Sequence, residues 1–295
     1  MASAEVNPPQ QASPLFWSHL ALWIRSIPRS ALLSMIGPSL LLICGYFGWR
    51  YYGARHYDAA FYGVKKENVT ITAAPDWLRS SIVDEVFSKT GLSHLSLLDA
   101  QSPAIIARAF DAHPAVLKTH RVQPFAGGEI SISIEYRSPV AMLYCEPERE
   151  GEKPEFLPLD AEGVLLPVKG NFTETDVPRY IWIYVEGMKR PNQNEGTRIG
   201  DTRVEEATRL CKLLAPYRNH ALIERVYVVP ARSPGKSRWN LEIETNGGKG
   251  PRIIWGNAPG FEGMREPSAS EKLRRLIDAV SDRSQWSKAQ INLMN

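Results

Sequence analysis

His113–Ala141 reads HPAVLKTHRVQPFAGGEISISIEYRSPVA. Two β-rich runs, 116–122 and 129–136, flank the Gly127-Gly128 pair. In the second run Ile130, Ile132 and Ile134 alternate with Ser131, Ser133 and Glu135. A period of two is what a strand with one buried and one wet face requires. The pair is therefore a hairpin over a core. Upstream, residues 68–72 (NVTIT) form a short β-branched strand. Pro75-Asp76 is expected to open a helix, with Trp77, Leu78, Ile82, Val83, Val86 and Phe87 apolar and Gly91 ending it. Pro103 suits the first turn of a second helix from Ser102, whose inner face is Ile105, Ile106, Ala109 and Phe110. The order strand, helix, helix, strand, strand predicts a small α/β module with both helices on one sheet face.

Downstream, strand signals recur at 140–145, 156–160, 164–168 and 180–185. An amphipathic helix follows at 204–217, with Ala207, Leu210, Cys211 and Leu214 on one face. Strands at 224–229, 239–245 and 252–256 come next, the last two joined by a turn at Asn246-Gly247-Gly248. A closing helix at 270–282 points Leu273, Leu276, Ile277 and Val280 inward, and 289–294 (AQINLM) is expected to add a last short strand. This second module reads as an antiparallel meander with two covering helices. The fold class is α+β.

The N-terminal side differs in character. Residues 30–49 run twenty positions without a charge. At 1.5 Å rise per residue such a helix spans about 30 Å, one hydrocarbon core. Trp49, Tyr51 and Tyr52 sit where interfacial aromatics belong, with Arg50 as an anchor. A signal peptide fits poorly, because bulky aromatics stand where small cleavage-site residues belong. A buried helix of this length would show a polar face. Residues 15–24 read as an interfacial helix and 1–14 as a polar, proline-containing tail. The expected organisation is a tail with interfacial helix (1–30), a transmembrane helix (31–51), a linker (52–66), the α/β module (67–138) and the β module (139–295). Arg25 and Arg29 precede the span while Arg50, Arg55, Lys65 and Lys66 follow it. That count mildly favours a cytoplasmic C-terminal side, yet long domains translocate largely regardless of charge.

Composition agrees with a mostly globular chain. Of 295 residues 43% are hydrophobic and 23% charged, which excludes a wholly disordered or polytopic protein. A net charge of +3 gives no reason to expect a nucleic-acid partner. Three cysteines exclude a disulfide-dense scaffold. Cys145 and Cys211 stand open between pairing in an oxidising compartment and two buried thiols. The six histidines form no H-E-x-x-H pair, and His113 and His120 fall on opposite faces of a regular strand. Gly247–Gly250 lacks the Ser or Thr of a phosphate loop. Glu205-Glu206 and the Glu146, Glu148, Glu150 group read as solvated surface. Asn68 and Asn171 open N-x-[ST] sequons, which matter only in a eukaryotic secretory protein. We expect no catalytic site, no cofactor, no metal and no small-molecule substrate, so the chain is not expected to be an enzyme. Open sheet edges instead invite strand addition by a partner.

The order of these elements, carrying HPAVLKTHRV (113–122), the turn FAGGEI (125–130) and ISIEYRSPVA (132–141), resembles a POTRA domain, that of the FtsQ/DivIB family of bacterial cell-division proteins. Glu135, Pro139, Val140 and Ala141 match the family's strand ending in glutamate-x-x-x-proline-valine-alanine. Asp160 and Gly163 match its aspartate-x-x-glycine hairpin, and the resemblance runs on through RIIWG (252–256) to the final helix. It implies a bitopic scaffold of the divisome, with a cytoplasmic N-terminus in the bacterial inner membrane and extracytoplasmic modules. It also implies a role in septal peptidoglycan synthesis by holding other divisome proteins, above all small coiled-coil bitopic partners like FtsB and FtsL. A second reading from another class is a POTRA-bearing adaptor in protein secretion or outer-membrane assembly. The family's partner face uses the last strand and an arginine before the strand matching 239–245, here Arg238. Ile291-Asn292-Leu293 resembles its isoleucine-aspartate-leucine strand, with Asn292 in place of the acid. The sequence stops at Asn295, before the family's final aromatic segment, so the expected edge is short. The partner site is expected over Trp286 to Leu293, with Ile291 and Asn292 on the strand, and at Arg238. It is expected to be weaker than the family's, or shifted toward 252–256.

Overall fold

The structure is a computed structural model and describes residues 29–53, 62–231, 238–282 and 290–294. By contacts the chain divides into Met1–Tyr62 and Gly63–Asn295. In the first unit helix α1 (Arg29–Gly48) runs 20 residues with Pro38 inside it, and a π-turn follows at Trp49–Gly53. Leu40, Leu41, Leu42 and Ile43 follow one another round α1 and are all exposed. Among the described residues no helix is long and apolar enough to cross a membrane. The side chains of 29–33, 35 and 36 lie outside that set. Residues 1–28, which include the expected interfacial helix, lie outside it as well.

The second unit is α+β, with two sheets. Its small module holds β1 (Val69–Ile71), α2 (Ile82–Lys89), α3 (Ser102–Asp111), β2 (Val116–Pro124) and β3 (Ile130–Tyr136). The sheet order is β1-β3-β2, with β1 parallel and β2 antiparallel to the central strand. Ile130, Ile132 and Ile134 are buried with Ile82, Val86, Ile106 and Phe110, so both helices cover one face. The module also takes in Gly63, which pairs with Ser96, and the buried Val64. One expected helix start moves. Residues 75–80 stay outside α2, which begins only after Ser81, whose hydroxyl accepts a hydrogen bond from Asp84 N at 3.3 Å. The backbone N–H groups of Arg79 and Ser80 instead donate to the Asn171 side-chain carbonyl, at 2.8 and 2.9 Å.

The large module holds β4 (Pro139–Cys145), β5 (Glu155–Asp160), β6 (Ile181–Val185), α4 (Thr202–Leu214), β7 (Ile223–Pro230), β8 (Trp239–Thr245), β9 (Arg252–Gly256), α5 (Ala269–Ser281) and β10 (Gln290–Asn292). Seven strands lie in the order β10-β9-β8-β7-β6-β4-β5. The sheet is mixed, which corrects the antiparallel meander. β4 and β6, β6 and β7, and β9 and β10 pair in parallel. The reason is the connections: α4 lies between β6 and β7 and α5 between β9 and β10, and a crossover returns the chain in the same direction. The β4–β5, β7–β8 and β8–β9 pairs are antiparallel. The run at 164–168 makes isolated bridges through Val164 and Leu165, not a strand. α4 and α5 both pack into one core, through Val204, Ala207, Leu210, Leu214, Leu276 and Val280. Cys145 and Cys211 lie in that core as free thiols. Burial, with Glu155 adding to it, pushes the Cys145 thiol up to about 12, and burial raises Cys211 too, so both stay protonated near neutrality.

Asp160 explains the hairpin motif physically. Its Oδ1 accepts from Glu162 N and Val164 N at 2.8 and 2.9 Å, while Gly163 takes φ +75°, which favours glycine. Oδ2 binds Arg137 at 2.6 Å.

The β3 register makes a sharp prediction. Ile132→Asp places an unpaired carboxylate in the small core and is expected to cost several kcal/mol in urea denaturation. Ser133→Asp, on the exposed face, is expected to leave the midpoint nearly unchanged. Equal tolerance at both positions refutes the register.

Candidate partner-binding edge

β10 is an edge strand of the large sheet, three residues long. It pairs with β9 through Gln290↔Arg252, Ile291↔Ile253 and Asn292↔Ile254. Leu293 N donates to Ile254 O at 3.0 Å. Backbone groups alternate sides along a strand, so those of Ile291 turn to β9 and those of Gln290 and Asn292 turn outward. Gln290 and Asn292 are exposed and Ile291 half-buried. The Asn292 side-chain oxygen accepts from Met294 N at 2.9 Å, which ends the strand locally.

The five residues expected to bind a partner fall into three groups. Ile291 and Asn292 lie on the edge itself. Leu293 is 2% exposed and belongs to the large core, so its side chain closes this module's own sheet. Trp286 lies outside the described residues. Arg238 is exposed beside Trp239 and lines a groove of about 740 Å³. A shift of the site to β9 finds no open strand there, because β8 and β10 flank it.

The groove is built by the segment after β6, the N-terminus of α4, the start of β8 and Phe261 after β9. Asp201 caps α4, its carboxylate accepting from Arg203 N at 2.8 Å and pairing with the Arg203 guanidinium at 2.7 Å. That side-chain bond holds the Asp201 carboxyl below its usual range and raises Arg203. Arg203 in turn lies over the Trp239 ring, 5.7 Å from its centroid. Glu206 also lines the groove and is 3% exposed, which corrects its reading as solvated surface. It stands three residues after Arg203, one helical turn, and so shares that inner flank. With Lys189, Arg203 and Arg238 on the lining, cations outnumber the carboxylates Asp201 and Glu206. Trp239, Arg203 and Phe261 were not singled out from the sequence. The signal for the first two was present: an Asp-Thr-Arg cap before an apolar helix, and a tryptophan beside Arg238.

A buried ion pair ties α5 to the end of β9, the strand that β10 pairs with. Lys272, on α5, is fully buried and reaches Glu266 at 2.6 Å and Asn257 O at 3.3 Å. Glu266 also accepts from Asn257 N, Asn257 Nδ2 and Gly263 N, at 2.9, 2.5 and 2.9 Å. Burial pushes the Glu266 carboxyl up, but these bonds outweigh it and hold it below its usual range. Burial pulls the Lys272 ammonium down against the raising effect of Glu266. The ammonium also lies 5.1 Å from the Trp255 ring centroid. Gly256 takes φ +90°, and an added Cβ there would meet Glu266 and Met294. The end of β9 thus admits both the Glu266 carboxylate and Met294, two residues past the edge strand, only because it is glycine.

Among the described residues no cluster of His, Cys, Asp and Glu could hold a metal. His113 is bonded to Glu85 at 3.1 Å and His120 to Glu135 at 2.9 Å. No family model matches the chain, and no curated protein matches it.

Lys272→Met is expected to destabilise the chain by about 3–5 kcal/mol, the cost of stranding one member of a buried pair. Adding Glu266→Gln is expected to restore part of that loss in urea denaturation. The native Glu266 pKa lies below its ordinary 4.5, so its contribution is present above that value. It is lost as pH falls through the lowered pKa. The acid limb of stability is therefore expected to be shallower in Glu266→Gln, and an unchanged limb refutes the assignment.

Proposed function

We propose that this chain is a bitopic membrane scaffold of the bacterial divisome, of the FtsQ/DivIB kind. In this reading the segment 31–51 spans the inner membrane with the N-terminus in the cytoplasm, the small module is a POTRA domain, and the large module presents its β10 edge to partners. Those partners are small coiled-coil bitopic proteins like FtsB and FtsL, held by strand addition during septal peptidoglycan synthesis. The protein works by binding, not by catalysis. The observation that carries this reading is the edge: outward backbone groups on β10, in a module whose groove offers Arg238 and Trp239. An added strand gains backbone hydrogen bonds along β10, and a carboxylate or aromatic side chain of the partner finds cations and an indole ring in the groove. The consecutive exposed apolar residues Leu40–Ile43 on α1 support a lipid environment for that helix. The motif order around Glu135, Pro139, Asp160 and Gly163 supports the family reading.

Two experiments test it. A reporter active only outside the cytoplasm, fused after Asn295, is expected to work; activity of a cytoplasmic reporter alone overturns the topology and the role together. Co-purification from native membranes is expected to bring down small bitopic coiled-coil proteins. Asn292→Pro removes one outward N–H without touching the bonds to β9, and Arg238→Glu reverses a charge at an exposed position. Both are expected to lower partner capture about fivefold or more, the effect of losing about 1 kcal/mol, with the melting transition nearly unchanged. Deleting 287–295 is a poorer test, because it also takes Leu293 out of the core. Undiminished capture by both point variants overturns the proposed edge.

A further inference from the structure

The large module sends one segment, residues 168–180, onto the small one. Asn171 is 1% exposed, and its side-chain carbonyl accepts from both Arg79 N and Ser80 N. Asp176 is 5% exposed and receives the Arg79 guanidinium on both oxygens, at 2.9 and 2.8 Å. Thr173 fixes that carboxylate from behind, its N and Oγ1 donating at 3.0 and 2.7 Å. Between these two polar contacts the Trp77 and Phe172 rings stack, with centroids 5.6 Å apart and planes 17° from parallel. Two further contacts lie elsewhere along the same boundary. Arg137 meets Asp160, and Gly196, at φ +86°, lets the chain pass so close to Pro114 that a Cβ would stand 3.2 Å from its Cα.

Asn171, Asp176 and Arg79 each find polar partners in the other module, and Thr173 adds two bonds from its own loop, which is how a fixed interface differs from a sliding one. The covalent link between the modules is short: Arg137 and Ser138 alone separate β3 from β4. A two-residue link acts as a pivot unless something off its axis holds the bodies. Residues 171–176 supply that hold, on elements remote from it in sequence.

We propose that residues 168–180 are a clasp that locks the two modules into one rigid body, fixing where β10 stands relative to Val64 at the start of the small module. Asn171 and Asp176 are positioning residues in this device, acting through Arg79 and the first residues before α2. The NFT sequon at 171–173 is thereby explained as part of the clasp, since an asparagine 1% exposed and doubly bonded has no room for a glycan. The inference concerns the geometry of Gly63–Asn295 and stands or falls independently of whether β10 takes a partner.

Spin labels read the lock directly. The full chain in lipid nanodiscs, with Cys44→Ser, Lys118→Cys and Lys212→Cys, carries one label on exposed β2 and one on exposed α4. Cys145 and Cys211, buried, stay unlabelled. Pulsed electron–electron resonance is expected to give one narrow distance distribution. Arg79→Ala together with Asn171→Ala is expected to shift and broaden it, while far-UV circular dichroism stays native. Arg79→Ala alone changes a side chain 42% exposed, so it reports even if the double variant fails to fold; Arg79→Lys is expected to recover part of the narrow distance. A broad distribution in the parent chain, or a narrow unshifted one in folded Arg79→Ala, overturns the clasp.

Discussion

The candidate edge depends on one carboxylate. Glu266 gathers Lys272 from α5, both nitrogens of Asn257 just past β9, and the backbone of Gly263 in the loop between them. A lone buried ammonium would lose its charge or unfold its surroundings. Here four donors around one carboxylate keep the pair charged and fix α5 against the end of β9. From α5 the chain returns as β10, held by three residues of ladder, by Leu293 and Ile291 on the large core, and by Arg275 of α5, whose guanidinium donates to Leu293 O at 3.5 Å. So short a strand has little register of its own. Part of its hold comes from α5, through Arg275, and Glu266 fixes α5 against β9.

Much of the fold was legible because period and burial agree. The Ile130, Ile132, Ile134 alternation, the Pro103 start of α3 and the α4 stripe through Ala207, Leu210, Cys211 and Leu214 all appear as their spacing dictates. The failures share a cause: a residue's fate was set by a distant partner that local pattern does not name. Residues 75–80 stay out of helix because Asn171, some ninety positions later, takes the N–H groups of Arg79 and Ser80. Lys272 reads as surface by type yet begins the buried α5 stripe that continues through Leu276 and Val280, because Glu266 pairs with it there. That displaces Leu273 and Ile277 to half-buried flanks. Strand direction escapes the local pattern for a related reason. A helix between two strands covers the sheet and, by carrying the chain back across it, also makes the two strands parallel.

The site was legible in outline and not in depth. Arg238 and the 290–292 strand follow from motif order, whereas Leu293 turns inward because alternation along β10 places its neighbours outward. The groove could not be read at all from one segment. It joins Asp201 and Arg203 at the start of α4 to Trp239 on β8 and Phe261 after β9. Such a meeting is a property of sheet order, and parallel pairing of β6 and β7 is what carries α4 across to it. The clasp has the same logic at a larger scale, with short polar side chains on a loop substituting for secondary structure in a neighbouring module.

The length of β10 decides how a partner can bind under the proposed reading. Three residues with alternating backbone groups leave the outward donors and acceptors of two of them, Gln290 and Asn292. A net hydrogen bond contributes only about 1 kcal/mol, while association costs at least about 4 kcal/mol in lost freedom. Backbone pairing at this edge therefore fixes direction and register but cannot hold a partner unaided. The remainder must come from side chains that lose water in a pocket, where Trp and Arg contribute most. Trp239, already pressed by Arg203, and Arg238 beside it are such residues. A strand that pairs with β10 and also reaches this groove gains what a strand on the edge alone lacks, so selectivity resides in the groove and orientation in the edge.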